Sequence, residues 1–328
     1  MSLALQWDTD GLHWPHRESS RFVQSDGLRW HTQQFGFPNG TQNKSLESQI
    51  PVALLIHGTG ASTHSWRGLA PLLKPHFKVL AVDLPGHAFT GMPAGGPSSA
   101  QLSLPGMARA IHALLKTVGV SPALVIGHSA GAAIGVRMCL DGLISPQLVV
   151  GLNGAFLPLG GLAGQLFSPV AKLMAAAPFV PKLFSWRAND PVVLRKLIDG
   201  TGSTLDATGL ALYRKLVSNP GHAAGALGMM ASWDLPQLAR DMPQLTTPLC
   251  LVVGSNDCTI APRQATHVLA MLPPATRLAM SAPVTLDGLG HLAHEERPDL
   301  VAAAVLAQYR SVMAARRQSR SRACPLGV

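Results

Sequence analysis

Three side chains of complementary types stand far apart in the chain, each close to glycine: Ser129, Asp257 and His291. Ser129 is the centre of Gly127-His128-Ser129-Ala130-Gly131. Gly-x-Ser-x-Gly between a strand and a helix makes a strained turn that presents the serine hydroxyl. Such a turn is crowded two positions to either side of the serine. Gly127 and Gly131 meet that need, and Ala132 and Ala133 let the following helix approach. A serine hydroxyl is a weak nucleophile until a base takes its proton. His291, in Gly288-Leu289-Gly290-His291, is the expected base. Asp257, closing Ser255-Asn256-Asp257, is the expected acid that orients the imidazole and stabilises its cation. Serine, acid, histidine is the chain order that accompanies this turn. Asp287 is a rival acid four residues before His291 and is read as a loop cap. Asn153 stands after the preceding strand, and as an amide it cannot serve as the acid.

Acyl transfer also needs N–H donors aimed at the developing oxyanion, each worth roughly 3 kcal/mol of barrier. His57-Gly58-Thr59-Gly60 directly follows an apolar run, which assigns the N–H groups of Thr59 and Ala130 to that hole. The expected substrate contacts are His57, Trp66, Asn153, Met229, Met230 and Trp233. The run His291-x-x-His294-Glu295-Glu296 has metal-like spacing, but His291 is already assigned, so His294 is read as support or capping. No metal site is expected, and this chemistry requires no metal or organic cofactor. Asp83-Leu84-Pro85-Gly86-His87 is read as a structural strand-end loop.

The elements that must hold these residues are legible as short apolar runs. Pro51 to Ile56, Phe77 to Val82, Ala123 to Ile126, Gln147 to Leu152 and Leu249 to Val253 read as strands buried on both faces. Gly27 to Gly36 reads as an early strand or hairpin, and Thr276 to Ser281 as a late strand. Helices are expected over Leu102 to Val118, Ala130 to Leu140, Arg263 to Met271 and Ala293 to Ala314. This alternation predicts an α/β fold, a mostly parallel central sheet flanked by helices. From 154 to 242 strand signals vanish. The segment is rich in Gly, Ala, Met and Pro, with short helices expected between Pro169, Pro178, Pro181 and Pro191, and it reads as an inserted helical lid. The expected division is a core of residues 1–153 and 243–315, a lid of 154–242 and a basic tail of 316–328.

Composition narrows the setting. The chain has 328 residues, of which 47% are hydrophobic and only 13% charged. About 25% charged is usual, so a large core and an apolar pocket are expected. The net charge of +9 gathers partly at Arg310, Arg316, Arg317, Arg320 and Arg322, a solvated end with no nucleic-acid motif beside it. Cys139, Cys250, Cys258 and Cys324 form no Cys-x-x-Cys pair, which suits a reducing cytoplasm. Residues 1–21 lack the apolar run of a signal peptide. Residues 142–171 carry no charge but hold Pro146, Asn153, Pro158 and several glycines, so they read as strand and loop, with peripheral membrane contact left open.

The motifs together resemble the α/β-hydrolase superfamily. The runs Gly58 to Arg67, Asp83 to His87, Gly127 to Ala133, Leu152 to Ala155, Thr201 to Ser203, Met229 to Leu235 and His291 to Glu296 are similar to one branch of it. That branch is the magnesium-chelatase accessory family of bacteriochlorophyll biosynthesis, and the likeness runs from about Trp14 to Tyr309. Ala88 departs from the pattern, standing where hydrolases often have a second glycine. The resemblance implies a role near magnesium insertion and a tetrapyrrole ligand, with magnesium-chelatase subunits as partners. Met174, Met229, Met230 and Trp233 would either cover the macrocycle or form a small core of the lid, and scattered arginines would meet the carboxylates. Three readings stay open: a serine hydrolase, a porphyrin-binding accessory whose triad is unused, and a general carboxylesterase.

Overall fold

The computed structural model describes residues 4–37, 50–158, 177, 179–277 and 282–323. Its strands are β1 (Ser20–Ser25), β2 (Leu28–Phe35), β3 (Val52–Ile56), β4 (Lys78–Val82), β5 (Pro122–His128), β6 (Leu148–Leu152), β7 (Leu249–Gly254) and β8 (Val284–Leu286). Its helices begin with α1 (Trp7–Asp10), α2 (Leu69–Leu73), α3 (Leu104–Val118) and α4 (Ala130–Leu140). Between β6 and β7 come α5 (Val180–Ala188), α6 (Pro191–Asp199), α7 (Ala207–Val217), α8 (Pro220–Ala231) and α9 (Leu235–Asp241). The chain closes with α10 (Arg263–Met271), α11 (Pro274–Arg277), α12 (Ala293–Glu296) and α13 (Pro298–Ala323).

The strands form one sheet in the order β1-β2-β4-β3-β5-β6-β7-β8. The β1–β2 hairpin and the β2–β4 pairing are antiparallel, and every other pairing is parallel. The period-two geometry of strands sends alternate side chains to opposite faces. Leu54, Ile56, Val125, Val149 and Leu251 pack on α3 and α4, while Leu55, Leu124, Ile126, Val150 and Val252 pack on α2 and α13. Both faces are therefore covered by helices, the arrangement expected for continuous apolar strands.

The inserted helices start cleanly. Pro181, Pro191 and Pro220 occupy first-turn positions, where a missing N–H costs nothing, so Pro181 and Pro191 open helices rather than break them. Asp190, Asp206, Asn219 and Asp234 cap α6, α7, α8 and α9 by accepting from N–H groups of the first turn. Pro169, Met174 and Pro178 lie outside the described residues.

Two expectations need correction. The late strand placed at Thr276 to Ser281 does not start there: Pro274 opens the short helix α11, residues 278–281 lie outside the description, and the edge strand is Val284–Leu286. The last helix is two helices, because Pro298 supplies no N–H to continue α12 and instead opens α13. That second helix carries Arg316 and Arg317 onward to Ala323, past the Ala314 expected for its end. Alanine and arginine are strong helix formers, which accounts for the extension. Among the described residues no helix is long and apolar enough to cross a membrane.

Candidate active site

Ser129 sits at the turn from β5 into α4 with φ 51° and ψ −116°, a backbone region that L residues rarely occupy. The turn is closed from both sides. The Ser129 N–H donates to Leu152 O at 3.0 Å, and its carbonyl accepts from Ala155 N at 3.0 Å. A Cβ at Gly127 would lie 2.4 Å from Ala132 N, and one at Gly131 would lie 2.0 Å from Ile56 O. The glycine spacing thus answers backbone contacts that no side chain could share.

Asp257 and His291 come together beyond the edge of β7 and β8. The His291 Nδ1–H donates to Asp257 Oδ2 at 2.9 Å, which leaves Nε2 as the acceptor nitrogen. The carboxylate is saturated with donors: Oδ2 also accepts from Asn153 Nδ2 at 2.7 Å, and Oδ1 accepts from the N–H groups of Thr259 and Ile260 at 2.8 and 2.9 Å. Asn153 adopts φ 46°, a left-handed conformation that asparagine tolerates well, and so turns its amide toward the acid. Asp287 is exposed on the turn after β8 and does not hold the histidine.

Ser129 and His291 line one cavity of about 320 Å³. No hydrogen bond joins their side chains among the described residues, and such contacts often tighten only once substrate is bound. Thr59 and Ala130 line the same cavity, and neither N–H donates to another described residue. The α4 N-terminus leaves the Ala130 N–H without an intrahelical partner. The inserted segment contributes Ile198, Tyr213, Val217, Met230, Trp233 and Leu235 to the same wall. The described lining contains no Lys, Arg, Asp or Glu. Arginines expected to meet carboxylates are therefore absent from it.

Residues 53–304 match the model of the alpha/beta hydrolase family. The chain belongs to that family. It is similar to the magnesium-chelatase 30 kDa subunit of Rhodobacter capsulatus, with 34% identity over 90% of this chain and 95% of that one. It is also similar to epoxide hydrolase 4 of Homo sapiens, at 24% identity over 85% of this chain and 75% of that one. Among solved structures, an alpha/beta hydrolase fold protein from Burkholderia ambifaria superposes with a TM-score of 0.68 at 23% identity, covering 88% of this chain and 97% of that chain. A putative lipase from Acinetobacter baumannii AYE gives 0.71 at 17% identity, covering 96% and 99%. At those identities the two structures speak for the fold alone.

Of the substrate contacts expected in this alpha/beta hydrolase, Met230 and Trp233 line the cavity. His57, Trp66, Asn153 and Met229 do not. Trp66 and Met229 are fully buried, with the Trp66 ring tilted against His294 and the Met229 Sδ contacting Thr59 Oγ1 at 3.5 Å. Asn153 serves the acid. His57 accepts from Leu84 N at 2.9 Å through Nε2 and donates through Nδ1 to Gly58 O at 2.7 Å, so it braces the loop that carries Thr59.

A second histidine braces the same loop and carries no local motif. His222 of α8 accepts from Ala88 N through Nδ1 at 3.0 Å, and its Nε2–H donates to Gly60 O at 3.0 Å. Burial lowers its pKa to about 4, against the opposing hydrogen bond to Gly60, so the bridge is held by neutral imidazole. Ala88, the departure noted in sequence, has φ 45°, and its N–H is what His222 receives. Asp83 is structural, as read: it accepts from His31 Nδ1 and from Thr63 N at 2.7 Å each. Burial raises its pKa, but His31 and the Thr63 N–H outweigh that and bring it to about 2.

The His291 loop is gripped by the inserted segment. The N–H groups of His291 and Cys258 donate to Thr201 O at 3.1 and 3.2 Å, and the Leu292 N–H donates to Ser203 Oγ at 2.8 Å. Gly202 between them has φ +78°, and a Cβ there would strike Asn256 O at 1.9 Å. His294 lies below, fully buried with Nε2 at 2.8 Å from Ser65 Oγ, a supporting position as expected. Beside it Glu295 accepts from Tyr213 OH at 2.7 Å, and burial raises its pKa to about 7.

Proposed function

We propose that this protein is a serine hydrolase that cleaves an ester or similar acyl bond, acting near the magnesium-insertion step of bacteriochlorophyll synthesis. The observation that carries the reading is the shared cavity of Ser129 and a histidine already paired to a saturated carboxylate. In the reaction, Ser129 Oγ attacks the acyl carbon as its proton passes to His291 Nε2. Asp257 stabilises the resulting imidazolium, and the Thr59 and Ala130 N–H groups receive the oxyanion. His291 then returns the proton to the leaving alcohol, and water repeats the sequence to release the acid.

The chemistry of the nucleophile supports acyl carbon over saturated carbon. Serine attack at a saturated carbon would end in an ether that water does not release, whereas an acyl-serine is hydrolysable. The uncharged lining supports an apolar, neutral ligand portion, such as an esterified carboxyl. The helices α5–α9 act in this reading as the lid over it. Ser129→Ala in the purified protein should lower hydrolysis of p-nitrophenyl acyl esters by a factor of roughly 10³ or more while unfolding is unchanged. Retained turnover would remove Ser129 from the role.

The near full-length similarity to a protein named as a magnesium-chelatase subunit favours a second reading, a porphyrin-binding accessory without turnover. A chromosomal Ser129→Ala replacement compared with a deletion separates them. If the replacement reproduces the deletion's tetrapyrrole profile, the reaction is the function. Normal pigment in the replacement and impaired pigment in the deletion makes binding the function. Normal pigment in both leaves a general carboxylesterase.

A further inference from the structure

The helices α5 and α6 leave a set of large apolar side chains in water that the fold does not use. Phe179, Leu183 and Trp186 follow the i, i+4, i+7 spacing of one helical face and are 65%, 56% and 70% exposed. Phe184 beside them, and Val192 and Leu197 on α6, are also exposed. The opposite faces are spent inward, through Pro181, Ser185 and Ala188 on α5 and Leu194 and Ile198 on α6.

Basic residues are interleaved with this apolar set. Lys182, Arg187, Arg195 and Lys196 are exposed, and none forms an ion pair among the described residues. Three arginines elsewhere are paired: Arg67 with Asp206, Arg137 with Asp141 and Asp241, and Arg297 with Asp299. Against these four cations the same stretch holds two acids, Asp190, whose carboxylate accepts from the Val192 N–H, and Asp199. The face is therefore aromatic, aliphatic and cationic together.

That combination suits one occupant. Indole and phenyl rings settle at the boundary of headgroup and acyl chain, and long basic side chains reach lipid phosphates from beside them. A second copy of this chain fits poorly, because a two-fold contact would set four unpaired cations against four more. The helix α6 also separates this face from the cavity, since its inward side turns Ile198 and, just past its end, Thr201 into the cavity wall. We propose that α5 and α6 are a docking face for an anionic lipid bilayer, through which an apolar ligand passes between membrane and cavity. This holds whatever reaction the cavity performs.

Flotation of the full chain with vesicles tests it, using phosphatidylcholine alone and phosphatidylcholine with one-third phosphatidylglycerol. The wild type should float with the anionic vesicles and lose binding as salt rises. The variant Phe179→Ser/Leu183→Ser/Trp186→Ser should bind at least about tenfold more weakly. The variant Lys182→Gln/Arg187→Gln/Arg195→Gln/Lys196→Gln should lose a similar factor and most of the salt dependence. Circular dichroism and thermal unfolding control for folding, and Trp186→Ala alone, at an exposed position, serves if the triple variant does not fold. Failure of the wild type to bind anionic vesicles overturns the proposal. Binding that all variants retain also overturns it, because the contact then lies elsewhere, such as the arginines of α13. A concentration-dependent dimer that the same variants abolish, without vesicle binding, assigns the face to protein contact instead.

Discussion

Replacing His222 by glutamine and following stability against pH probes a group of buried imidazoles. Burial lowers the pKa of His222 to about 4 and of His294 to about 3, and holds His64, His87 and His128 well below 6.5. The folded protein therefore binds their neutral forms. Their stabilisation is whole above the unfolded value of 6.5 and is lost as pH falls below it toward the folded values. At about pH 5.5, one unit below the unfolded value, His222 and His294 each cost on the order of 1 kcal/mol, and His64, His87 and His128 add losses of the same sign. Glu295 works the other way. Its raised pKa of about 7 makes the protonated carboxyl the folded form, returning ~2 kcal/mol by about pH 5.5. Five buried imidazoles outweigh this one opposing carboxyl, so the change from about pH 8 is a net loss, and it counts against a total domain stability of about 5–15 kcal/mol. Urea unfolding followed by tryptophan fluorescence should show greatest stability near neutrality and a steep fall below about pH 6. In His222→Gln the drop between those pH values should shrink by about 1 kcal/mol, even if stability at high pH also falls. A wild-type stability flat within ~1 kcal/mol over this range would refute the reasoning.

Other perturbations address the turn and the acid. Gly131→Ala places a methyl 2.0 Å from Ile56 O and 2.6 Å from His57 O, both backbone atoms. It should cost about 3 kcal/mol or more in urea unfolding, and a loss under ~1 kcal/mol would contradict the packing of the turn. Asn153→Gly suits φ 46° and removes only the amide that donates to Asp257. Ester kcat/KM should fall roughly ten- to a hundredfold with a small change in Tm, and a change within about twofold would mean the acid does not rely on that bond.

The sheet was readable because a strand covered on both faces must be apolar throughout, and β3 to β7 follow the runs chosen for them. The serine turn was readable because Gly127 and Gly131 are demanded by backbone crowding, which leaves a mark in composition. Polar residues were harder. His57 and Asn153 were read as substrate contacts, yet each is spent on a buried hydrogen bond, and residue type alone does not say which way a polar atom faces. His222 had no local signal, because its partner Gly60 lies 162 positions away. The exposed face of α5 was hidden for a related reason. A helical stripe of Phe179, Leu183 and Trp186 reads as core until the opposite face proves to be the buried one.

The grip of Thr201 and Ser203 on the His291 loop has a consequence for how such a protein can diversify. Helices inserted between two strands look like an exchangeable cassette. Here the cassette also supplies the carbonyl and hydroxyl that seat the loop of the histidine. A graft taken wholesale from a relative would change the cavity wall and unseat that loop at once. New ligand preferences are reached more safely by point changes at Tyr213, Met230 or Trp233, with the junction at 201–203 left in place.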